Sequence, residues 1–350
     1  MTADVLDTPL HGASLARKKL PSWALPGITV GVLVVTYLLK MLGSLNWIQY
    51  VLIAAVLYLI VQTVASISVE GWRHAKDRLM TGLLYVTLVL AVLPLVAVLG
   101  YTIAKGIVRF DPTFFTHSMR AVSEDEATGG AYQAILGTLE QVGIAAVISV
   151  PFGILVAVYL VEYSSGRLGR VVSFFVDVMT GLPSIVAGLF IYTLWILALG
   201  FDFSGFAGSL SLVILMLPTV VRSSEEMLKL VPNSLREASY ALGVAKWITV
   251  VRIVLPTALA GIITGIMLAI ARVMGETAPV LLTVAGSASI NYDPFNGPQA
   301  SLPLFVFQEA QLPNDTAIDR AWAAALTLII IVLLLNLIAR AVARFARVRG

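Results

Sequence analysis

Long apolar runs separated by short polar breaks set the pattern of this chain. Eight runs, at roughly 24–42, 47–67, 79–104, 133–161, 172–199, 206–221, 258–285 and 322–342, approach or exceed the ~20 apolar residues that cross a bilayer. None alternates with the period of a barrel strand, and within hydrocarbon a helix satisfies its own backbone donors and acceptors. The pattern therefore predicts an all-α polytopic membrane protein with about eight transmembrane helices. One segment departs from it. From Ser223 to Pro256 the chain reads SSEEMLKLVPNSLREASYALGVAKWITVVRIVLP, charged and small residues mixed among apolar ones. Pro232, Asn233 and Ser234 break the segment and offer an N-cap, which predicts a short helix over about 234–242 with Gly243 at its closing turn. Leu235 and Leu242 fall on one face, and the small Ala238, Ser239, Ala241 and Gly243 permit another surface to come close. Such a helix fits a partner's groove or lies on anionic lipid. Pro256 is expected to break the chain before the next span.

Composition agrees with burial in a bilayer: 59% of residues are hydrophobic and 12% charged, and the mean hydropathy is +0.92. Without a cysteine, and with His11, His74 and His117 scattered, the chain offers no disulfide, thiol nucleophile or metal-ligand spacing. The net charge of +3 points to topology, not nucleic acid, because basic residues cluster in alternate connections. One side holds Arg17, Lys18, Lys19, Arg73, Lys76, Arg78, Arg167, Arg170, Arg222, Lys229, Arg236, Lys246, Arg252, Arg340, Arg344, Arg347 and Arg349. The other holds Lys40, Lys105, Arg109, Arg120 and Arg320. The bias puts both termini and the Ser223–Pro256 segment in the cytoplasm. The first run follows basic residues as a signal peptide does, but no A-x-A-like cleavage site follows it and a second run begins within a few residues, which reads as a helical hairpin. The long outer stretches, about 105–132 and 286–321, are rich in turn residues and suit a docking loop, a gate or plain connectors.

Arg272 lies inside the seventh run, close to its middle. On one continuous helix Gly265, Arg272 and Glu276 fall about 40°, 20° and 60° from Gly261, a single stripe. Gly261 and Gly265 make a small-xxx-small pair for a neighbouring helix, and Pro279 can kink the span. A mid-membrane Arg costs roughly 2.5–3.5 kcal/mol on insertion scales. It is either bridged to Glu276 as packing, or it offers its planar guanidinium to an oxyanion in a passage. Asp177, Glu140, Gln141 and Asn336 read as satisfied packing contacts, and Lys40 as a snorkelling residue.

Glu237, Ala238 and Ser239, then Gly243 after three residues, then Ile253, Leu255 and Pro256 after nine more, resemble the E-A-A-x3-G-x9-I-x-L-P signature of ABC importer permeases, with Ser for the second Ala. LREASYALGVAKW together with LAIARVMGETAPVLLT, GLPSIVAGLF at Gly181–Phe190 and SLPLFVF at Ser301–Phe307 resembles the A-type permease subunits of bacterial phosphate-specific (Pst) transporters, over about 79–345. The G-E-T-A-P form favours the A-type over the C-type subunit.

The resemblance implies a six-helix type-1 importer core at 69–350, with a transmembrane type-1 domain at about 131–343 and a cytoplasmic coupling segment at 222–257. Residues 1–68, a tail and two extra helices, lie outside it. It implies that Leu235, Glu237, Ala238, Ser239, Gly243 and Pro256 couple to an ATPase, that Arg272, Glu276 and Thr277 form the substrate pathway, and that Gly261, Gly265 and Pro279 pack or bend the helix. It implies a C-type permease partner, two cytoplasmic ATPase subunits, an extracytoplasmic phosphate-binding protein, and inorganic phosphate as cargo in the bacterial cytoplasmic membrane. The chain has no G-x-x-x-x-G-K-[ST] loop, so ATP with Mg belongs to the partner ATPase, and no catalytic or metal residue is expected. Three alternatives stay open: a permease for sulfate or molybdate, a self-contained secondary transporter using Arg272 and Glu276 as a relay, and a membrane scaffold.

Overall fold

A computed structural model describes residues 20–43, 46–123, 126, 128–164 and 166–348, with side chains as far as residue 341. Arg17, Lys18, Lys19, His11 and Arg349 lie outside the described residues, as do the side chains of Arg344 and Arg347. The chain divides into two units, Met1–Leu99 and Gly100–Gly350.

The first unit holds α1 (Ala24–Leu42), α2 (Trp47–Glu70) and most of α3 (Trp72–Gly106). Asn46 and Gln49 close a capping box at the start of α2, satisfying two otherwise orphaned N–H groups. Glu70 accepts two hydrogen bonds from Arg78, at 2.5 and 2.7 Å, and one from Leu20 N at 2.7 Å. Lys40 sits over the Trp47 ring, so its charge stays at the span end as expected.

The second unit is built around α8 (Gly205–Lys229). Of the residues in its apolar window 61% are buried, against 6% for the span that begins α3; α8 is the core element. Ser204 caps it by accepting from Ala207 N. Ahead of it in the chain come α4 (Pro112–Thr116), α5 (Tyr132–Val158), α6 (Arg167–Thr180) and α7 (Ser184–Ile191). After it come α9 (Asn233–Ala241), α10 (Lys246–Thr249), α11 (Leu255–Met274), α12 (Ala278–Thr283), α13 (Leu302–Glu309) and α14 (Asp315–Val348). Glycines allow the closest approaches. A Cβ on Gly153 of α5 would lie 2.7 Å from Val220 of α8, one on Gly265 of α11 2.5 Å from Ser223 Oγ, and one on Gly261 would collide with Met227. The expected small-xxx-small pair therefore packs α11 on α8. Val142, Ala145, Leu212, Met216, Ala269, Val273 and Val284 fill the space between.

Among the described residues seven helices are long and apolar enough to span a membrane, eight if a bent pair counts as one. Three expectations need correction. The run at 172–199 is not one helix: α6 and the segment Ser184–Ala198 meet at 104°. Gly181–Leu182–Pro183 makes the break, since Pro183 disfavours helical backbone before it and lacks the N–H a continuing helix needs. The run at 258–285 stops at Met274 and resumes as α12 after Gly275–Thr277. Conversely, Pro256 breaks nothing. Lys246–Met274 is one continuous span, because the turn before the proline, Val250–Val254, is π-helical and relaxes the register where the ring would meet the preceding carbonyl.

The described residues of the stretches at 105–132 and 286–321 are held by specific bonds. Arg109 bonds Asp111 at 2.8 Å and the Gly129 carbonyl at 2.8 Å. Arg320, fully buried, donates to Glu309 at 2.7 Å and to the Glu126 carbonyl at 2.6 Å. Gln299 donates to Glu140 and accepts from Gln141 at 2.9 Å, fastening the 286–301 loop to α5. In that loop the Asn296 amide and the Phe295 N–H hold the Asp293 carboxyl below its ordinary range.

Candidate functional site

Two places collect the residues singled out by sequence. The first is an elbow made of α9 and α10. Asn233 begins α9 without capping it. Its amide oxygen accepts from Arg236 instead, at 3.2 Å, and Pro232 occupies the N-cap. At the other end Gly243 adopts φ +74°, Val244 N reaches the Ser239 carbonyl and Gly243 N the Tyr240 carbonyl, at 3.2 and 2.9 Å. These two bonds form a Schellman motif, which requires a left-handed residue at the glycine position.

Leu235, Glu237, Ala238, Leu242 and Gly243 are exposed, Leu242 at 83%. Ser239 is not among them. It is buried, and its hydroxyl pairs with Thr249 at 2.8 Å, locking α9 to α10. A residue expected on the outer face thus holds the elbow together.

The second place is the end of α11. Ala269, Val273 and Met274 bury one face in the core, while Thr264, Leu268 and Arg272 are exposed on another. Gly265 touches Ser223, so Arg272, two turns further on, comes level with about residue 216, midway along α8. Its depth is therefore central even though the helix ends two residues later. Glu276 and Thr277 are half-buried in the break. Because α11 stops at Met274, Glu276 leaves the predicted stripe, and among the described residues no ion pair joins it to Arg272.

Thr277 is the N-cap of α12 and its carbonyl accepts from Leu281 N at 2.9 Å. Pro279 lies in the first turn of α12, where its missing N–H costs nothing, and so does not kink a span. It packs on α7: a Cβ on Gly188 would lie 2.7 Å from Pro279 Cα. The two interrupted segments are thereby fastened to each other.

Arg222, counted by sequence only as a loop charge, sits between Asp177, Ser173 and Glu225 and ties α6 to α8. Glu140, Gln141, Asp177 and Asn336 all have hydrogen-bond partners, in line with their reading as packing contacts.

Residues 149–348 match the family described as "Binding-protein-dependent transport system inner membrane component". The chain belongs to that family. Among relatives of this permease, "Phosphate transport system permease protein PstA 1" of Mycobacterium tuberculosis (strain CDC 1551 / Oshkosh) is 53% identical, over 79% of this chain and 91% of the relative. The PstA protein of Haemophilus influenzae is 38% identical over 77% and 94%. A crystal structure of a bacterial ABC transporter involved in the import of the acidic polysaccharide alginate has a chain that superposes at TM-score 0.52 with 15% identity, covering 78% of the permease and 99% of that chain. That likeness shows the shared fold.

Proposed function

We propose that this permease is one of two dissimilar membrane subunits of an ATP-driven inorganic phosphate importer, lining half of the pathway and coupling to a separate ATPase. The observation that carries the reading is Arg272. It is half-way across the bundle, exposed, and without an ion-pair partner among the described residues. An unpaired guanidinium facing lipid is costly, so this face of α11 requires cover by protein or a water-filled path. Its planar fork matches two oxygens of a phosphate, and the similarity to phosphate-transport permeases over most of the chain supports the cargo.

Around this subunit the reading places a C-type permease, two cytoplasmic ATPases that hold ATP with Mg, and a phosphate-binding protein outside. Both termini lie in the bacterial cytoplasm, and residues 1–68 form a cytoplasmic tail followed by an added helical hairpin. Leu235, Glu237, Ala238 and Gly243 present the surface the ATPase grips. The chain moves phosphate without altering it.

The deciding experiment is Arg272→Gln in the assembled transporter, reconstituted in proteoliposomes. Phosphate uptake is expected to vanish while all subunits still co-purify; normal uptake removes Arg272 from the pathway.

A further inference from the structure

Force on α9 has a covalent route to the pathway: through Gly243 and α10 into the continuous helix Lys246–Met274, about 39 Å from Lys246 to Arg272. The structure holds a second, non-covalent route. Arg236, in the first turn of α9, turns away from the exposed docking face. Its Nε donates to Glu162 at 3.0 Å, one terminal nitrogen reaches the same carboxylate at 2.8 Å and the Leu228 carbonyl at 3.0 Å, and the other reaches Val231 O at 2.6 Å and Asn233 at 3.2 Å. Every nitrogen of the fork is used. Both partners are nearly enclosed, the side chains of Arg236 and Glu162 being 12% and 5% exposed. The next residue, Tyr163, carries the Lys246 ammonium over its ring at 5.0 Å. Adjacent residues at the end of α5 thus hold the first turn of α9 and the first residue of α10. Ser239 and Thr249 lock those two helices to each other.

We propose that Glu162 and Tyr163 are the receiver of the coupling unit, clamping α9 through Arg236 and α10 through Lys246 so that α5 moves with the elbow as one body. The inference rests on the reading of α9 as the ATPase-docking helix. A buried ion pair is a poor source of stability, since apolar replacements of similar volume are often as stable. What it supplies is fixed geometry. A guanidinium that also bonds the Leu228 carbonyl at the end of α8 and the Val231 carbonyl just past it leaves little slack between α5, α8 and α9. The receiver sits in a π-helical turn, Tyr159–Tyr163, and a second one, Val250–Val254, follows α10; such turns mark places where a helix departs from its regular register. From there α5 runs along the core helix α8, touching it at Gly153 and Val220. Motion taken up by Glu162 is delivered along α5 to α8, the helix on which α11 also packs.

The absence of cysteine from the sequence gives a clean test. In the full transporter, Tyr163→Cys with Lys246→Cys is treated with a short bifunctional thiol reagent. If α5 and the elbow travel together, the cross-link forms and phosphate uptake is unchanged. A link that fails to form, or that stops uptake, overturns the proposal.

Glu162→Gln and Arg236→Lys supply an independent readout. Both are expected to retain the ATPase on co-purification but to raise ATP consumed per phosphate about tenfold, within the usual range of an allosteric coupling. An unchanged ratio in both variants, or loss of the ATPase from both, also overturns it. Failure of the underlying reading shows separately: Glu237→Lys would then leave the ATPase bound.

Discussion

At the residue scale, the side chains that matter divide by whether their partners lie nearby in sequence. Gly243 was legible because a closing turn needs a left-handed residue, and its φ is +74°. Arg236 was not. Its partner Glu162 is 74 positions away on another element, and no local pattern announces a pair at that distance. Ser239 shows the same limit, since the substitution in the E-A-A signature is explained only by Thr249 across the elbow. Ser239→Ala should therefore be mild. Thr249 keeps its bond to the Ala245 carbonyl at 3.3 Å, so the loss is one neutral hydrogen bond, about 1 kcal/mol. The expected result is a slightly lower thermal midpoint of the purified transporter with the ATPase still attached; a collapse of the complex would show that the pair bears more of the elbow than one bond.

At the element scale, hydropathy located the apolar runs but could not say which were single helices. The runs at 172–199 and 258–285 are apolar throughout, yet each contains a break, at Gly181–Pro183 and at Gly275–Thr277. A window average is insensitive to two or three residues, whereas the backbone is not. Pro256 failed in the opposite direction, because a π-helical turn absorbs it. The short α13, Leu302–Glu309, fell in a stretch read as loop because eight residues are too few to span. What joins the two interrupted segments is the contact of Gly188 with the Pro279 backbone. Backbone cannot yield as a side-chain tip does, so Gly188→Leu should displace α12 and the half-buried Glu276 and Thr277 before it. The expected cost is about 1–3 kcal/mol of overpacking, read as a lower thermal midpoint together with reduced phosphate uptake. Wild-type uptake in a folded Gly188→Leu transporter would show that the two segments need not meet.

At the scale of the whole molecule, the decisive question is what covers the open face of α11. Its buried face is settled by Ala269, Val273 and Met274, which pack into the core, while Thr264, Leu268 and Arg272 point away from this chain. Hydropathy alone assigns such a face to lipid, as it does for most of α3. Arg272, without an ion pair among the described residues, argues against that assignment, because hydrocarbon around a guanidinium is expensive and a water-filled path is not. The two environments differ in thiol chemistry: a charged methanethiosulfonate reacts with the thiolate, which forms in water and not in lipid. Leu268→Cys, one turn from Arg272, is therefore expected to be modified in the assembled transporter and to be protected by added phosphate. Ile262→Cys, on a face that is 1% exposed, is expected to stay unmodified and serves as the control. If the thiol introduced by Leu268→Cys is inert while the transporter remains active, the face is covered by lipid or by a neighbouring subunit and the pathway runs elsewhere. Modification without protection would place the face in water but move phosphate away from it, leaving Arg272 as a charge that shapes the field of the passage.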